Sequence, residues 1–157
     1  MKILVTGNLG YIGSVLVPNL MALGHEVVGF DSGYFQDCLL DTVDKDFTQI
    51  TKDIRDVNIG DLEGINAVIH LAGLSNDPLG ELVPGLTEEI NYEGSIKLAE
   101  LAKRAGVARF IYSSSQSMYG VSETDDELDE DLSSKNPITA YARTKWLAEL
   151  RLNELRS

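Results

Sequence analysis

Glycines at positions 7, 10 and 13, spaced three apart in Thr6-Gly7-Asn8-Leu9-Gly10-Tyr11-Ile12-Gly13, stand between a short apolar run (KILVT, 2–6) and a helix-length segment. No other feature constrains the chain as much. A residue without a Cβ lets backbone N–H groups come close to a phosphate, and the N-terminus of the helix that follows adds a favourable dipole. Read alone, the triplet also suits a plain tight turn that needs positive φ. A second apolar run at 26–30 (EVVGF) completes the rhythm of a βαβ unit.

The rest of the chain repeats that rhythm. Between Tyr11 and Leu23 the apolar residues Ile12, Val15, Leu16, Leu20 and Leu23 recur at helical spacing, with Gly24 as a left-handed cap and Pro18 as a bend that removes one backbone donor. Residues 46–51 and 66–72 read as a third and a fourth strand, the latter buried on both faces. Residues 86–105 read as a helix closing at Gly106, and 109–113 as a fifth strand. Strands joined by helical crossovers predict an α/β, Rossmann-type, doubly wound parallel sheet of order 3-2-1-4-5. From Gly120 to Lys135 the chain is acidic and reads as a solvated loop, with a gate over the site as the alternative. Asn136 and Pro137 suit the cap and first position of a last helix. With no repeat and no linker, residues 1–157 read as one domain.

Composition excludes several partners. With 13 Lys and Arg against 25 Asp and Glu, the net charge is −12. That balance argues against a nucleic-acid surface or an anionic membrane, and no run approaches the roughly 20 apolar residues of a spanning helix. At 43% hydrophobic and 24% charged, the chain has an ordinary globular composition. Cys38 is the lone cysteine, so no intrachain disulfide forms and a reducing cytoplasm is the expected setting.

Three further clusters point to chemistry. Asp31 closes the second strand 18 residues after Gly13, where a carboxylate can accept from both ribose hydroxyls and repels a 2′-phosphate. Ser32 and Gly33 supply no Arg to hold that phosphate, which favours NAD over NADP; the bland alternative is an exposed turn Asp. Asp53-Ile54-Arg55-Asp56 places a carboxylate beside an adenine amino group, or is a plain charged turn. In Tyr141-Ala142-Arg143-Thr144-Lys145 the phenol and the ammonium, four residues apart, share one helix face. Ionising a Tyr of reference pKa about 10 at pH 7 costs about 4 kcal/mol, and a cation about 4 Å away returns a similar amount at an effective dielectric near 20. An ordinary amphipathic helix carries the same spacing. Ser113-Ser114-Ser115 ends the fifth strand on the carboxyl edge, where open α/β sheets bind ligands.

With these motifs in this order, the chain resembles the extended short-chain dehydrogenase/reductase superfamily, and more narrowly the NAD-dependent epimerase/dehydratase family acting on nucleotide sugars. Val68-Ile69-His70-Leu71-Ala72-Gly73, Asn91-Tyr92-Glu93-Gly94 and the stretch from Ser113 to Gly120 extend the likeness over the whole chain. The resemblance implies that Ser115 binds the reacting oxygen, that Tyr141 is the acid/base, and that Lys145 lowers the Tyr pKa and holds the nicotinamide ribose. It further implies that Gly7, Gly10 and Gly13 hold the pyrophosphate, with Asn8, Leu9, Tyr11 and Ile12 completing the cofactor loop. Asp31 is then the adenosine-ribose ligand, Asp53 and Ile54 flank the adenine, and Leu71, Ala72 and Gly73 line the cleft. Ser113 joins the cofactor side and Asn91 supports the active site. His70 is expected to pack at its strand end, and no metal is expected.

Two departures from the family pattern bear on function. Family dehydratases carry an Asp-Glu pair after the catalytic hydroxyl, where this chain has Gln116 and Ser117, so epimerisation is favoured over elimination. Family members run to about twice this length, so the chain is expected to stop before the last strands and the C-terminal substrate domain, with little or no activity alone. A nucleotide-sugar substrate and a homodimer through the 86–105 and YxxxK helices are implied by the same likeness. The alternatives are a superfamily oxidoreductase with net redox turnover and a non-catalytic dinucleotide-binding module.

Overall fold

β1 (Lys2–Thr6) runs through the middle of a parallel sheet, between β2 (Glu26–Asp31) and β4 (Ala67–His70), with β3 (Thr48–Thr51) and β5 (Arg109–Tyr112) at the two edges. The structure is a computed structural model and describes residues 1–38, 47–121 and 127–156. Among these residues the order is β3-β2-β1-β4-β5, as expected. Register pairs Ile3 with Val27 and with Ala67 across the two central ladders. Successive β1 residues serve opposite faces. Ile3 and Val5 join Val17, Val27 and Ala67 on one side, while Leu4 joins Val28, Phe30, Val68 and Leu98 on the other. Burial on both faces is why the central strands are continuous apolar runs.

Strand ends depart from expectation by a few residues. β3 starts at Thr48, and Asp46 of the predicted strand lies outside the described residues. β4 stops at His70 because Thr6 takes over the next donors: Leu71 N–H goes to its carbonyl and Ala72 N–H to its hydroxyl. β5 stops at Tyr112, and Ser113 N–H closes the edge on the His70 carbonyl.

The first helix, α1 (Tyr11–Ala22), ends on Gly24 at φ +79° and contains Pro18. Its inward face is not the one expected. Gly13 and Val17 are buried with Leu16, Leu20 and Met21 packed nearby, whereas Ile12, Val15 and Leu23 are exposed. Gly13 sets this rotation, since it alone allows the helix to lie on the glycine turn.

The predicted 86–105 helix is three pieces: α3 (Pro84–Thr87), a π-helical stretch (Glu88–Glu93), and α4 (Gly94–Arg104). A short helix before it, α2 (Asp77–Leu82), carries no strong sequence periodicity. The last helix, α5 (Ala140–Leu155), corrects the Asn136–Pro137 cap. Thr139 is the cap, its hydroxyl accepting from Ala142 N–H at 3.1 Å, while Asn136 N–H pairs with the Met118 carbonyl. Residues 127–132 are exposed; residues 122–126 of the acidic stretch lie outside the described residues, so the gate reading does too. Among the described residues no helix is long and apolar enough to cross a membrane.

Candidate active site

A cleft of about 1210 Å³ opens where the chain leaves β1, β2, β3 and β4. Its floor is the glycine turn. Gly7 sits at φ +70°, and a Cβ there would fall 2.7 Å from Ala72 N, so the turn lies directly on the chain leaving β4. A Cβ on Gly13 would stand 2.4 Å from the Gly7 carbonyl oxygen and 2.5 Å from Asn8 Cα. Only glycine fits at either place. Leu9, Gly10, Tyr11 and Ile12 line the cleft beside them, at the start of α1.

Asp31 faces this floor from the end of β2. One carboxylate oxygen accepts from Gly33 N–H at 2.8 Å and the other from Leu9 N–H at 3.2 Å, which ties the two loops together. Each oxygen keeps lone-pair capacity toward the cleft. Asp53 and Ile54 also line it. The Arg55 guanidinium grips the Asp53 carboxylate through Nε at 3.0 Å and Nη2 at 2.9 Å, and this side-chain hydrogen bonding holds the carboxyl below its ordinary range. Leu71, Ala72 and Gly73 form the opposite wall. A floor of bare glycine backbone and a carboxylate beyond each of two strand ends, in a cleft of this volume, fit a dinucleotide.

Two further expected residues do not line the cleft themselves. Asn8 is fully buried, and its amide donates to Gln49 Oε1 at 2.7 Å and accepts from Gln49 Nε2 at 3.3 Å. Asn91 accepts from Leu74 N–H at 2.8 Å and donates to the Leu74 carbonyl at 3.0 Å. It holds the chain that forms the cleft wall and does not line the cleft.

His70 packs at its strand end, fully buried. Ser95 donates its hydroxyl proton to the Asn91 carbonyl at 2.6 Å, so its oxygen accepts from His70 Nε2–H at 2.8 Å. His70 Nδ1 is then the acceptor for the Thr6 hydroxyl at 2.6 Å, and Thr6 in turn accepts from Ala72 N–H at 3.2 Å. Every group in this chain is satisfied with a neutral imidazole. Burial first, and the Lys145 charge second, pull His70 down to about 3.

The second cluster lies outside the walls of the cleft, on the β4–β5 side. Lys145 is 6% exposed; its ammonium donates to the Ser113 carbonyl at 2.8 Å and stands 4.8 Å from the Tyr112 ring centre and 5.9 Å from that of Tyr141. Burial pulls this ammonium down to about 8. Ser115 caps a 3₁₀ turn at Gln116–Tyr119, accepting from Ser117 N–H at 3.2 Å and donating to Ser117 Oγ at 3.1 Å. Ser114 donates to Glu149 Oε2 at 2.6 Å, one helical turn beyond Lys145. So α5 holds consecutive residues of the serine triplet. The phenol of Tyr112 is buried with no hydrogen-bond partner among the described residues, and burial raises it well above the usual range.

Several contributors are not singled out from the sequence. Gln49 and Ser95 each serve a site residue more than twenty positions away, Asn8 and His70, and Glu149 serves Ser114 across 35 positions. For Glu149 a signal exists, since it follows Lys145 by one turn on the same face.

The family model for the NAD dependent epimerase/dehydratase family matches residues 3–157. The chain belongs to that family. The family's cofactor, NAD, is the dinucleotide that the cleft fits. A UDP-glucose 4-epimerase of Bacillus subtilis (strain 168) is 34% identical over 99% of this chain, which covers 48% of that relative. Among solved structures, the NAD-dependent NDP-hexosamine 5,6-dehydratase TunA superposes with a TM-score of 0.89 at 26% identity, over 99% of this chain and 50% of that one. MoeE5, solved with UDP-glucuronic acid and NAD, superposes at 0.87 with 31% identity, over all of this chain and 50% of that one. The chain thus spans about half the length of these relatives.

Proposed function

We propose that the protein is a nucleotide-sugar epimerase, for which this chain supplies the dinucleotide cleft and the acid/base cluster. The observation that carries the reading is the pairing of Tyr141 with a buried Lys145, itself bonded to the serine triplet, beside a glycine-floored cleft. Gly7, Gly10 and Gly13 would hold the pyrophosphate, Asp31 the adenosine ribose, Asp53 and Ile54 the adenine, and Leu71 to Gly73 the flank of the cofactor. NAD, when bound, would supply the hydride acceptor and donor for the sugar carbon.

Tyr141 as phenolate would accept the proton of the sugar hydroxyl as that carbon is oxidised and give it back as the ketone is reduced from its other face. Lys145 compensates the phenolate charge. Ser115 aligns the oxygen that alternates between hydroxyl and ketone. The 3₁₀ turn after Ser115 offers Gln116 and Ser117 in place of a carboxylate pair, so nothing there removes a proton from carbon to expel water. This supports epimerisation over dehydration. The relatives' UDP-sugar ligands point to a nucleoside diphosphate sugar as substrate. The reading also carries a homodimer through α4 and α5, where Leu147 and Leu150 are left exposed.

Replacing Tyr141 with Phe tests the assignment. NAD affinity measured by calorimetry should stay within about threefold, while epimerisation of a UDP-sugar falls about 10²- to 10⁴-fold. Turnover at the native rate would refute the base, and accumulation of NADH in step with product would move the protein to the net oxidoreductases.

A further inference from the structure

Helix α2 touches both halves of the site. Asn76, its cap, and Leu79 line the cofactor cleft. On its other side, Asp77 and Glu81, four residues apart and therefore on one helix face, meet the first turn of α5. Glu81 Oε1 accepts from Ala140 N–H, and Asp77 Oδ1 accepts from the Thr139 hydroxyl at 2.6 Å. Because the Thr139 oxygen is also the cap for Ala142 N–H, a continuous chain runs from Ala142 through Thr139 to Asp77. Two of the amides that a helix start leaves without partners are thus fixed, directly or in relay, by carboxylates of a different helix. Negative charge there also complements the helix dipole.

Tyr141 is the second residue of α5, between the two amides so held. Gly80, between Asp77 and Glu81 in α2, packs on it: a Cβ on Gly80 would stand 3.3 Å from Tyr141 Cβ and 3.5 Å from Tyr141 N. Thr87 anchors the arrangement from behind, its buried hydroxyl donating to the Gly80 carbonyl at 2.7 Å. A cap satisfied from within the loop would stabilise α5 equally well but would leave its start free to shift against the cleft. A cap built from α2 fixes the two together.

We propose that Asp77 and Glu81 are positioning residues for Tyr141, setting where the phenol stands relative to the cofactor cleft. This rests on the reading of Tyr141 as the acid/base, but its first readout does not need the reaction. The chain has six tyrosines; in protein labelled with [¹³Cζ]tyrosine, Tyr141→Phe identifies the signal that matters. Glu81→Ala should move the Tyr141 signal. Glu81→Gln, which keeps the accepting oxygen, should leave it in its native place. On the intact enzyme, kcat should fall at least tenfold in Glu81→Ala with KM for the nucleotide sugar within threefold, and return to within threefold of native in Glu81→Gln. Should Glu81→Ala fail to fold, Thr139→Val and Thr139→Ser make the same pair through the Asp77 arm. A Tyr141 signal unmoved by Glu81→Ala, or one that Gln fails to restore, overturns the proposal. A signal that moves and is restored while the native protein turns over no nucleotide sugar upholds the positioning and refutes the reaction instead.

Discussion

Lys145 is held with its ammonium on the Ser113 carbonyl and almost no water around it. Burial disfavours its charged form, which lowers the ammonium from 10.5 to about 8. It therefore stays charged at neutral pH and discharges as pH rises through about 8. Because the folded value lies below the unfolded one, the unfolded chain binds more protons between about 8 and 10.5, so this group makes stability rise with pH in that window. Urea denaturation of the native protein and of Lys145→Met should show it. The difference in unfolding free energy should shift in favour of the native protein by about 3 kcal/mol between pH 7.5 and 10.5. A difference that is flat or falls with pH would mean that the ammonium is hydrated. Burial of this kind is invisible in the YxxxK spacing, which shows adjacency and nothing of depth. The same limit explains Asn8: its place in the glycine loop is legible, but its partner Gln49 lies 41 residues away.

Elements whose identity depends on neighbours in sequence are the most legible. The strand-to-helix glycine turn and the apolar central strands carry local signals, and they stand where expected. The start of α5 does not, because Asn136–Pro137 has good capping chemistry, yet the Asn136 backbone is engaged by Met118 and the helix waits for Thr139. The π-helical stretch has no signature at all, since apolar spacing of three and four runs through it unbroken. Its consequence is concrete. A widened turn at Glu88–Glu93 is the setting in which the Asn91 carbonyl is taken by the Ser95 hydroxyl while its amide serves Leu74. Asn91→Ala would leave the Leu74 N–H and carbonyl without partners, at a cost of about 1–3 kcal/mol for each group that water cannot reach. Stability should fall by about 2–4 kcal/mol, and NAD affinity should weaken with it, because Leu74 and its neighbours Leu71, Ala72 and Gly73 line the cleft. Native NAD affinity in a variant destabilised by that amount would separate the wall from the fold and refute the link.

At the scale of the molecule, strand order is legible because parallel neighbours need helical crossovers and right-handed connections leave few arrangements. That order brings four strand exits to one cleft, so a ligand there ties β1, β2, β3 and β4 together. Ligand binding to the folded state alone stabilises it by RT ln(1 + [L]/Kd), about 2.7 kcal/mol at a hundredfold excess over Kd. For a chain of this size that corresponds to a rise in Tm of about 5–10 °C. NADP should do much less at the same concentration. On the proposed placement of the adenosine ribose its 2′-phosphate would meet the Asp31 carboxylate; Ser32 and Gly33 beside it offer no cation, and the Lys52 ammonium is paired with Asp61 at 2.8 Å. The field of a chain with net charge −12 adds to that penalty at low salt and is screened near 0.15 M, where the Debye length is about 8 Å. Thermal melts at that ionic strength therefore isolate the local carboxylate. A Tm rise with NADP equal to that with NAD would place the adenosine ribose away from Asp31, whereas preference for NAD that Asp31→Asn relaxes would fix it there.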